Sequence, residues 1–119
     1  MTNSQGARTE PARPAWVDVV LTAHNSVAPG HVSHAGRMKS ERYFVWMEDE
    51  EDDLSADNVH AEHAVSGTTD LFTKREFDPW AAAIGEAFDN AGMCWEKTGT
   101  TYEEDTGFFH HSWDWTVAY

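Results

Sequence analysis

Basic residues are scarce in this chain. Lys and Arg together number 8 against 21 Asp and Glu among 119 residues, so the formal net charge is −13 at pH 7. A protein that tracks nucleic-acid phosphates needs clustered cations, because its affinity comes from the counterions that they displace. We therefore expect no sequence-specific nucleic-acid partner, and the surplus negative charge favours solubility.

Cysteine and long apolar runs are scarce as well. Cys94 is the only cysteine, which excludes disulfides and cysteine-based zinc sites within one chain and fits a reducing cytoplasm. No apolar run approaches the roughly 20 residues of a membrane span. Residues 1–16 also carry no apolar segment of the kind that marks a secretory signal. We expect no membrane partner.

Apolar and aromatic residues are sufficient for a folded core. They make up 40% and 13% of the chain and include six Trp and six Phe, whose burial can offset the entropy lost on folding. The length suits one domain. Residues 1–13 are polar and aperiodic, so we expect a flexible N-terminal arm there and a single domain over residues 14–119.

Two segments carry the spacing of a helix. Apolar residues recur every three or four positions over residues 16–27, which predicts a helix that Pro29-Gly30 ends. A second helix is predicted over residues 79–91, because Asp78 can cap its first turn and Gly92 follows its last turn.

The remaining apolar segments predict strands. "HVSH" is typical of a short strand, and "ERYFVWMED" of an interior strand, because both of its faces are apolar. Residues 64–74 predict a long strand, and "MCWEKTG" and "TTYEED" predict two shorter ones. This order predicts an α+β fold, in which a mainly antiparallel sheet of four to five strands packs with two helices as a single-layer sandwich.

The terminal stretch, "FFHHSWDWTVAY", alternates strictly between apolar and polar residues. His111 shares the apolar face with the tryptophans, whereas His110, Ser112 and Asp114 lie on the opposite face. Together with the other predicted elements, this alternation gives the expected buried anchors: Trp16, Val45, Leu71, Trp80, Ile84, Phe88, Trp95, Trp113 and Trp115.

Asp105-Thr106-Gly107 is also the tripeptide of aspartic proteases, in which two loops share a proton between their carboxylates. A catalytic Asp of that kind follows apolar residues that bury it, whereas Glu103 and Glu104 precede this one. Between two strands the same tripeptide is ordinary turn chemistry, since Gly107 can adopt a positive φ. We interpret it as a hairpin turn and expect no catalysis.

Histidines and acids form two groups whose residue types suit a metal ion. The two groups are His60, Glu62 and His63, and His110, His111 and Asp114. Neighbouring residues on a strand point to opposite faces, which prevents His110 and His111 from binding one ion together. We expect His111 to be a hydrogen-bonded neighbour of the tryptophan cluster, and we expect no metal and no cofactor. A small metal-binding domain or enzyme built on these histidines and acids stays an alternative.

Six consecutive acids, residues 48–53, form the longest run of like charge. So much like charge cannot pack, which predicts a solvated loop or rim. A calcium-binding loop over residues 51–62 is disfavoured because Ala56 stands where the sharp turn requires Gly. The total charge leaves one further alternative, an acidic mimic of DNA that blocks a nucleic-acid-binding protein.

Four short motifs occur in a recognisable order. Ala56-Asp57-Asn58 is followed by Leu71-Phe72-Thr73-Lys74, then by the helical segment from Asp78 to Ala91, then by Tyr102-Glu103-Glu104-Asp105. In this order and spacing, residues 14–119 resemble the small tail-completion or tail-terminator proteins of long-tailed bacteriophages.

This resemblance implies a structural protein of the virion that acts by assembly. Its expected partners are further copies of itself in a ring, expected to be a hexamer, the tail-tube protein and the head-side connector protein. DNA would pass through such a ring without specific binding, and the protein would reside in the host cytoplasm before assembly. The expected interface residues are Glu48, Asp49, Glu50, Glu51, Asp52, Asp53, Asp57, Asn58, Glu103, Glu104 and Asp105.

Overall fold

The computed structural model describes residues 13–53 and 63–119, with the side chains of residues 50–53 excepted. These residues form two helices and one five-stranded sheet with strand order β1-β2-β3-β5-β4. Only β1 and β2 pair in parallel, so the predicted α+β fold with a mainly antiparallel sheet is confirmed. The elements are α1 (Ala15–Val27), β1 (Val32–His34), β2 (Arg42–Asp53), β3 (His63–Thr73), α2 (Trp80–Asn90), β4 (Cys94–Glu103) and β5 (Phe108–Ala118).

Helix α1 follows the predicted apolar spacing. Trp16, Val20 and Ala23 are buried along one face, as the three-and-four spacing requires. After the last turn the Ala28 N–H donates to the His24 carbonyl at 3.0 Å, and Pro29-Gly30 turns the chain towards β1, with Gly30 at φ 84°. The predicted first helix and its end are confirmed.

Helix α2 begins and ends at the predicted signals. The Asp78 carboxylate accepts a hydrogen bond from the Trp80 N–H at 2.9 Å, which satisfies one of the free donors of the first turn. At the other end Met93 N–H donates to the Phe88 carbonyl and Gly92 N–H to the Asp89 carbonyl, both at 3.0 Å. Gly92 has φ 75°, the left-handed conformation that this termination requires.

Asp78 also joins the start of β2 to the end of β3. Its side chain is fully buried and accepts two hydrogen bonds from the Arg42 guanidinium, at 2.7 and 2.5 Å, and one from the Thr73 hydroxyl at 2.7 Å. Burial acts to raise the pKa of Asp78, but the hydrogen bonds from Arg42, the Trp80 N–H and Thr73 together hold this pKa below its ordinary value. The charge is therefore retained in the core.

The two helices cover one face of the sheet, which we call the helix-covered face. Strand alternation directs Phe44, Leu71 and Trp113 to this face, where they pack with Ile84 and Phe88 of α2. The alternation predicted for the terminal strand is confirmed, because its buried members are His111, Trp113, Trp115 and Val117.

A hydrogen-bonded relay crosses the core between the helix layer and the sheet. His24 is fully buried, with its Nδ1 2.7 Å from the Val20 carbonyl and its Nε2 2.8 Å from the Thr69 hydroxyl. The Thr69 hydroxyl also accepts a bond from the Trp115 indole N–H at 2.9 Å. Since a carbonyl can only accept, Nδ1 carries the proton of the neutral ring, and Thr69 must donate to Nε2. Each hydrogen bond of the relay therefore has one allowed direction.

The indole of Trp115 lies directly over the backbone of Gly67. A Cβ added at Gly67 would collide with the Trp115 ring and lie 2.6 Å from the Met47 carbonyl oxygen. Glycine within a strand often marks a site of close approach, and at Gly67 it is an aromatic ring that approaches. Gly67 thus sets the depth at which Trp115 sits and, through it, the position of the relay.

Three sequence-based predictions were wrong. The acid run is not a loop, because β2 continues to Asp53 and pairs with β3 after an irregularity between Glu48 and Glu50. Pairing with β3 keeps the backbone of this segment extended. The two short strands predicted before the terminal strand form the single strand β4, with an irregularity between Lys97 and Gly99.

The third wrong prediction concerns the buried anchors. Seven of the nine are buried, but Trp95 is 37% exposed and Trp80 is only partly buried. Trp95 lies on the edge strand β4, where its indole packs against Gly85 and donates to the Asp89 carboxylate at 2.7 Å. Trp80 stands at the first turn of α2, stacked on Phe44 at 5.7 Å. Both lie at the margin of the helix layer.

Acid should destabilise the protein through His24. Burial lowers the pKa of His24 from 6.5 to about 4, so between these values the unfolded chain binds the proton and the folded one does not. The contribution of neutral His24 to the free energy of unfolding is thus fully present above pH 6.5 and is lost as the pH drops towards 4. At pH 5, which lies about 1.5 units below the ordinary pKa of 6.5, we expect the free energy of unfolding to be lower by about 2 kcal/mol.

Urea denaturation of the wild type and His24→Gln at pH 7 and pH 5 measures this loss. The variant should be less stable at pH 7 but should lose less between the two values, because His24 no longer titrates. The pKa of His111 is also lowered, but His111 is present in both proteins, so its effect cancels in the comparison. An equal loss in wild type and variant would contradict the assignment to His24.

A methyl group at position 67 should be costly. Gly67→Ala forces Trp115 or strand β2 to move, and overpacking of this kind typically costs about 1–3 kcal/mol. Gly36→Ala is the matched control, because no atom lies within 4 Å of the added Cβ there. We expect thermal and urea unfolding to show the loss for Gly67→Ala alone, and a comparable loss in both variants would disprove the packing role of Gly67.

Candidate assembly surfaces

The opposite face of the sheet, which we call the open face, is not covered by either helix of the described residues. At one end of this face Tyr43, Val45 and Phe72 form a second small buried cluster, partly covered by Met38 and Phe108. The Arg37 guanidinium stacks 3.9 Å above the Phe72 ring. The open face is therefore partly closed at this end by the segment that follows β1.

A polar cluster lies beside it, made of Asp70, His110 and Ser112. Strand pairing places Asp70 opposite Ser112, with His110 on the same face. The Asp70 Oδ1 lies 2.7 Å from both the His110 Nε2 and the Ser112 Oγ, and Ser112 Oγ lies 3.3 Å from the same Nε2. All three residues belong to β3 and β5, so they are held by the ladder.

These three residue types invite comparison with a hydrolytic triad, but their geometry differs in a decisive way. A triad needs the carboxylate on one imidazole nitrogen and the serine on the other, so that one nitrogen is free to accept a proton. Here Asp70 and Ser112 both approach Nε2. Because a carboxylate accepts, Nε2 carries a proton and cannot take one from Ser112, whose hydroxyl donates to Asp70 instead. The cluster cross-links two strands.

The hairpin turn between β4 and β5 has the predicted turn chemistry. Gly107 has φ 78°, and its N–H donates to the Glu103 carbonyl at 2.7 Å. The Thr106 hydroxyl donates to the Glu103 carboxylate at 2.8 Å and, with Arg37 at 3.4 Å, holds the pKa of Glu103 below its ordinary value. Asp105 is exposed, unlike a buried protease carboxylate. The turn interpretation is confirmed.

The acid run occupies the distal half of β2. Glu48 accepts a bond from the His34 ring at 2.6 Å, which lowers its pKa, and Asp49 accepts one from Thr68 at 3.2 Å. The backbone of residues 50–53 pairs with β3 from Ser66 back to His63. Asp57 and Asn58 lie outside the described residues, as do His60, Glu62 and Ala56, so these predictions stay predictions.

The structure does not bring the two predicted acidic groups together. Thr73, at the end of β3, pairs with both Arg42 and Phe109, and so lies at the end of the sheet that carries the hairpin turn. Asp53 pairs with His63 at the other end. Eleven steps of strand separate Arg42 from Asp53, or roughly 36 Å at about 3.3 Å per residue. The acids thus mark opposite ends of one molecule.

The histidines do not gather around one point in the described part of the chain. His110 lies on the open face, whereas His111 is buried on the helix-covered face, with its Nδ1 3.1 Å from both the Thr100 hydroxyl and the Lys97 ammonium. Burial, and then Lys97, lower the pKa of His111. His111 stacks on Trp113 at 6.0 Å, as predicted. Residues 13–49 and 63–119 contain no group of three His, Cys, Asp or Glu side chains that could hold a metal ion.

Strand β4 is an exposed edge that the sequence did not reveal. Its residues from Cys94 to Tyr102 are all exposed, including Tyr102 at 54%. One side of its backbone pairs with β5, and the other forms the margin of the sheet. A long edge strand with aromatic residues is a template for pairing with another chain. The signal missed in the sequence was a Thr-rich segment with few apolar residues.

Phe77 is a second feature that sequence reasoning missed. It lies between β3 and α2 and is 89% exposed, the highest value among the exposed large hydrophobic residues of the described chain. The available signal was a lone aromatic among charged residues in "KREFDP".

No protein-family model and no curated protein matches the chain. Among solved structures, the chain is similar to one in the virion of a native gene transfer agent particle, with a TM-score of 0.51 and 13% sequence identity. The similarity covers 79% of this chain and 81% of that chain, and it shows a shared fold. Within the described residues, neither helix has the length and apolar character of a membrane span.

The Asp70, His110 and Ser112 cluster should not behave as a serine nucleophile. Because Nε2 is protonated towards Asp70, His110 cannot act as the base that activates the Ser112 hydroxyl. We expect a fluorophosphonate probe to give the same background labelling, read by intact-protein mass spectrometry, for the wild type and Ser112→Ala. Stoichiometric labelling that Ser112→Ala abolishes would show that the serine is activated after all.

Proposed function

We propose that this protein is a structural subunit of a phage-like particle, which assembles as a ring at the head–tail junction or at the end of the tail tube. The observation that carries the proposal is the fold, shared over about four fifths of both chains with a protein of a gene transfer agent virion. The order of the sequence motifs, which resembles tail-completion and tail-terminator proteins, supports the more specific role. The proposed localisation is the virion.

The two margins of the sheet suit head-to-tail association. At one margin β1 covers only Phe44 to Trp46 of β2, which leaves the outer edge of the rest of β2 without a described strand. At the other margin stands β4, which runs antiparallel to β2 by the pairing sequence across the sheet. A β4 of one copy can thus approach the β2 margin of the next copy in antiparallel orientation. Cyclic symmetry then closes every edge.

The charge of the chain supports a position around DNA. A net charge of −13 on each subunit gives a hexameric ring a strongly negative potential, and a channel of that sign keeps passing DNA from adhering. The acids lie at both ends of the sheet, which is compatible with contacts to the tail-tube protein on one side and to the head-side connector on the other. No catalytic step is needed for this role.

Native mass spectrometry and negative-stain microscopy test the proposal. Across a range of salt concentrations, with and without a tail-tube protein and a head-side connector protein of the same particle, we expect a closed ring with the mass of about six copies and binding to at least one of these subunits. Repulsion between copies should make assembly stronger at higher salt. A protein that stays monomeric under all conditions and binds neither subunit would refute the proposed function.

A further inference from the structure

The outer edge of β4 is unpaired within the part of the chain that the structure describes. Strand β5 pairs with the inner edge from Cys94 to Glu103, and β4 stands last in the strand order. The residues from Cys94 to Tyr102 are all exposed. An edge of 10 residues presents backbone donors and acceptors that water or another strand must satisfy.

A single extra residue, Thr98, divides β4 into two halves. Lys97 pairs with Trp113 and Gly99 pairs with Ser112, so Thr98 has no partner on β5. A bulge of this kind places two residues of one strand opposite one residue of the other, which shifts the alternation of faces by one position. Residues equally far before and after the midpoint of β4 therefore lie on the same face of the sheet.

The two exposed aromatic residues of β4 are placed symmetrically about this midpoint. Trp95 pairs with Trp115 and Tyr102 pairs with Phe109, so both side chains lie on the same side of the sheet as these odd-numbered residues of β5. Trp95 is 37% exposed and Tyr102 is 54% exposed. If the β4 of a second copy lay antiparallel along this edge, with the midpoints opposite each other, Trp95 of each copy would face Tyr102 of the other. Such cross-strand aromatic pairs stabilise a sheet.

The charges of β4 are compatible with the same register. Glu96 and Thr101 pair with Asp114 and His110 on the open face, and both are equally far from the midpoint. Each charged residue of β4 would face an uncharged residue of the second copy, in the pairs Glu96 with Thr101, Lys97 with Thr100, and Glu103 with Cys94. A shift by two residues would instead set Glu96 opposite Glu103, and like charges in that position are destabilising.

The helices do not meet in this arrangement. Helix α2 packs on Trp95 through Gly85, at the end of β4 that lies away from the hairpin turn. Because the paired strands are antiparallel, this end of one copy lies beside the hairpin end of the other. The two copies of α2 are therefore placed near opposite ends of the paired strands.

We propose that the β4 strands of two copies pair antiparallel about a two-fold axis at the midpoint of the strand, which joins the two five-stranded sheets into one sheet of ten strands. The two copies of Thr98 and Gly99 meet at the axis, where Gly99 adds no side chain. Such an interface is self-complementary, as two-fold symmetry requires. The occupant of the edge is a second copy of this chain.

The dimer does not rest on the proposed function, but it affects how a ring would assemble. Both contacts use the outer edge of β4, so one copy cannot make both of them at once. In the free protein the dimer covers an edge that would otherwise be open to nonspecific pairing. Ring closure then requires the dimer to dissociate.

Cysteine cross-linking tests the register of the pair. In a Cys94→Ser background, Glu96→Cys and Thr101→Cys together set two thiols opposite each other across the axis. Within one chain the same positions are five residues apart, or roughly 16 Å, which is too far for a direct bridge. We expect a short thiol-specific cross-linker to give a covalent dimer, with the linked peptides identified by mass spectrometry. Each single substitution in the same background is the control and should give no dimer, because the axis separates the two copies of one position.

Charge substitutions at Thr101 give a second test by sedimentation equilibrium. Thr101→Glu places two pairs of like charges across the axis and should weaken the dimer about two- to tenfold, whereas Thr101→Lys places two opposite-charge pairs and should strengthen it by a similar factor. Thr22→Glu and Thr22→Lys make the same changes in net charge at an exposed position of α1 and should have smaller effects. Thermal unfolding of each variant confirms that it is folded.

Several results would overturn the inference. They are a wild type that stays monomeric at the highest soluble concentration, a double-cysteine variant that cross-links no more than the single variants, and equal effects of the same charge at positions 101 and 22. Rings that form although no dimer is detected at any concentration would overturn this inference and leave the proposed function intact. A dimer that cross-links as expected but never gives a ring would support the inference and refute the proposed function.

Discussion

The relay from Trp115 through Thr69 to His24 is the constraint on which the arrangement of the core depends. It joins β5, β3 and α1 through side chains that are completely or almost completely buried. A buried polar group without its partner costs more than the bond itself contributes, so these three elements cannot shift independently. Burial lowers the pKa of His24 to about 4 and so keeps its ring neutral, and the neutral ring in turn fixes the direction of both of its hydrogen bonds.

The Asp78 centre has the corresponding role at the other end of the helix layer. It fixes the start of α2 against the first residue of β2 and the last residue of β3. Between these two anchored regions the core consists of aromatic and aliphatic contacts, which set volume but not orientation. Strand β4 and Phe77 are exposed and lie just outside this fixed framework, so it positions them without their contributing to it.

The features that sequence alone predicted correctly are those that depend on neighbouring residues, such as helix ends and strand alternation. Asp78 and Gly92 predicted the two ends of α2, because helix termination depends on neighbouring residues. The alternation of apolar and polar residues from Phe108 to Ala118 predicted the buried face of β5, because side chains of a strand alternate between its two faces. The acid run was misjudged because pairing with β3 keeps its backbone extended. Trp95 was misjudged because the reach of the helix layer over the sheet is a tertiary property. The Asp70, His110 and Ser112 cluster depends on the register between β3 and β5, which cannot be derived from a single sequence.

The relay also limits how this sequence can diverge. Position 69 must donate to one neighbour and accept from another within a single buried side chain, a combination that only a hydroxyl supplies in so small a space. The Trp115 ring fits only because Gly67 has no Cβ, and its indole N–H donates to the Thr69 hydroxyl. In distant relatives of the same fold, positions 24, 67, 69 and 115 should therefore be inherited or replaced as a group, and they offer a signature for recognising such relatives where overall identity has faded.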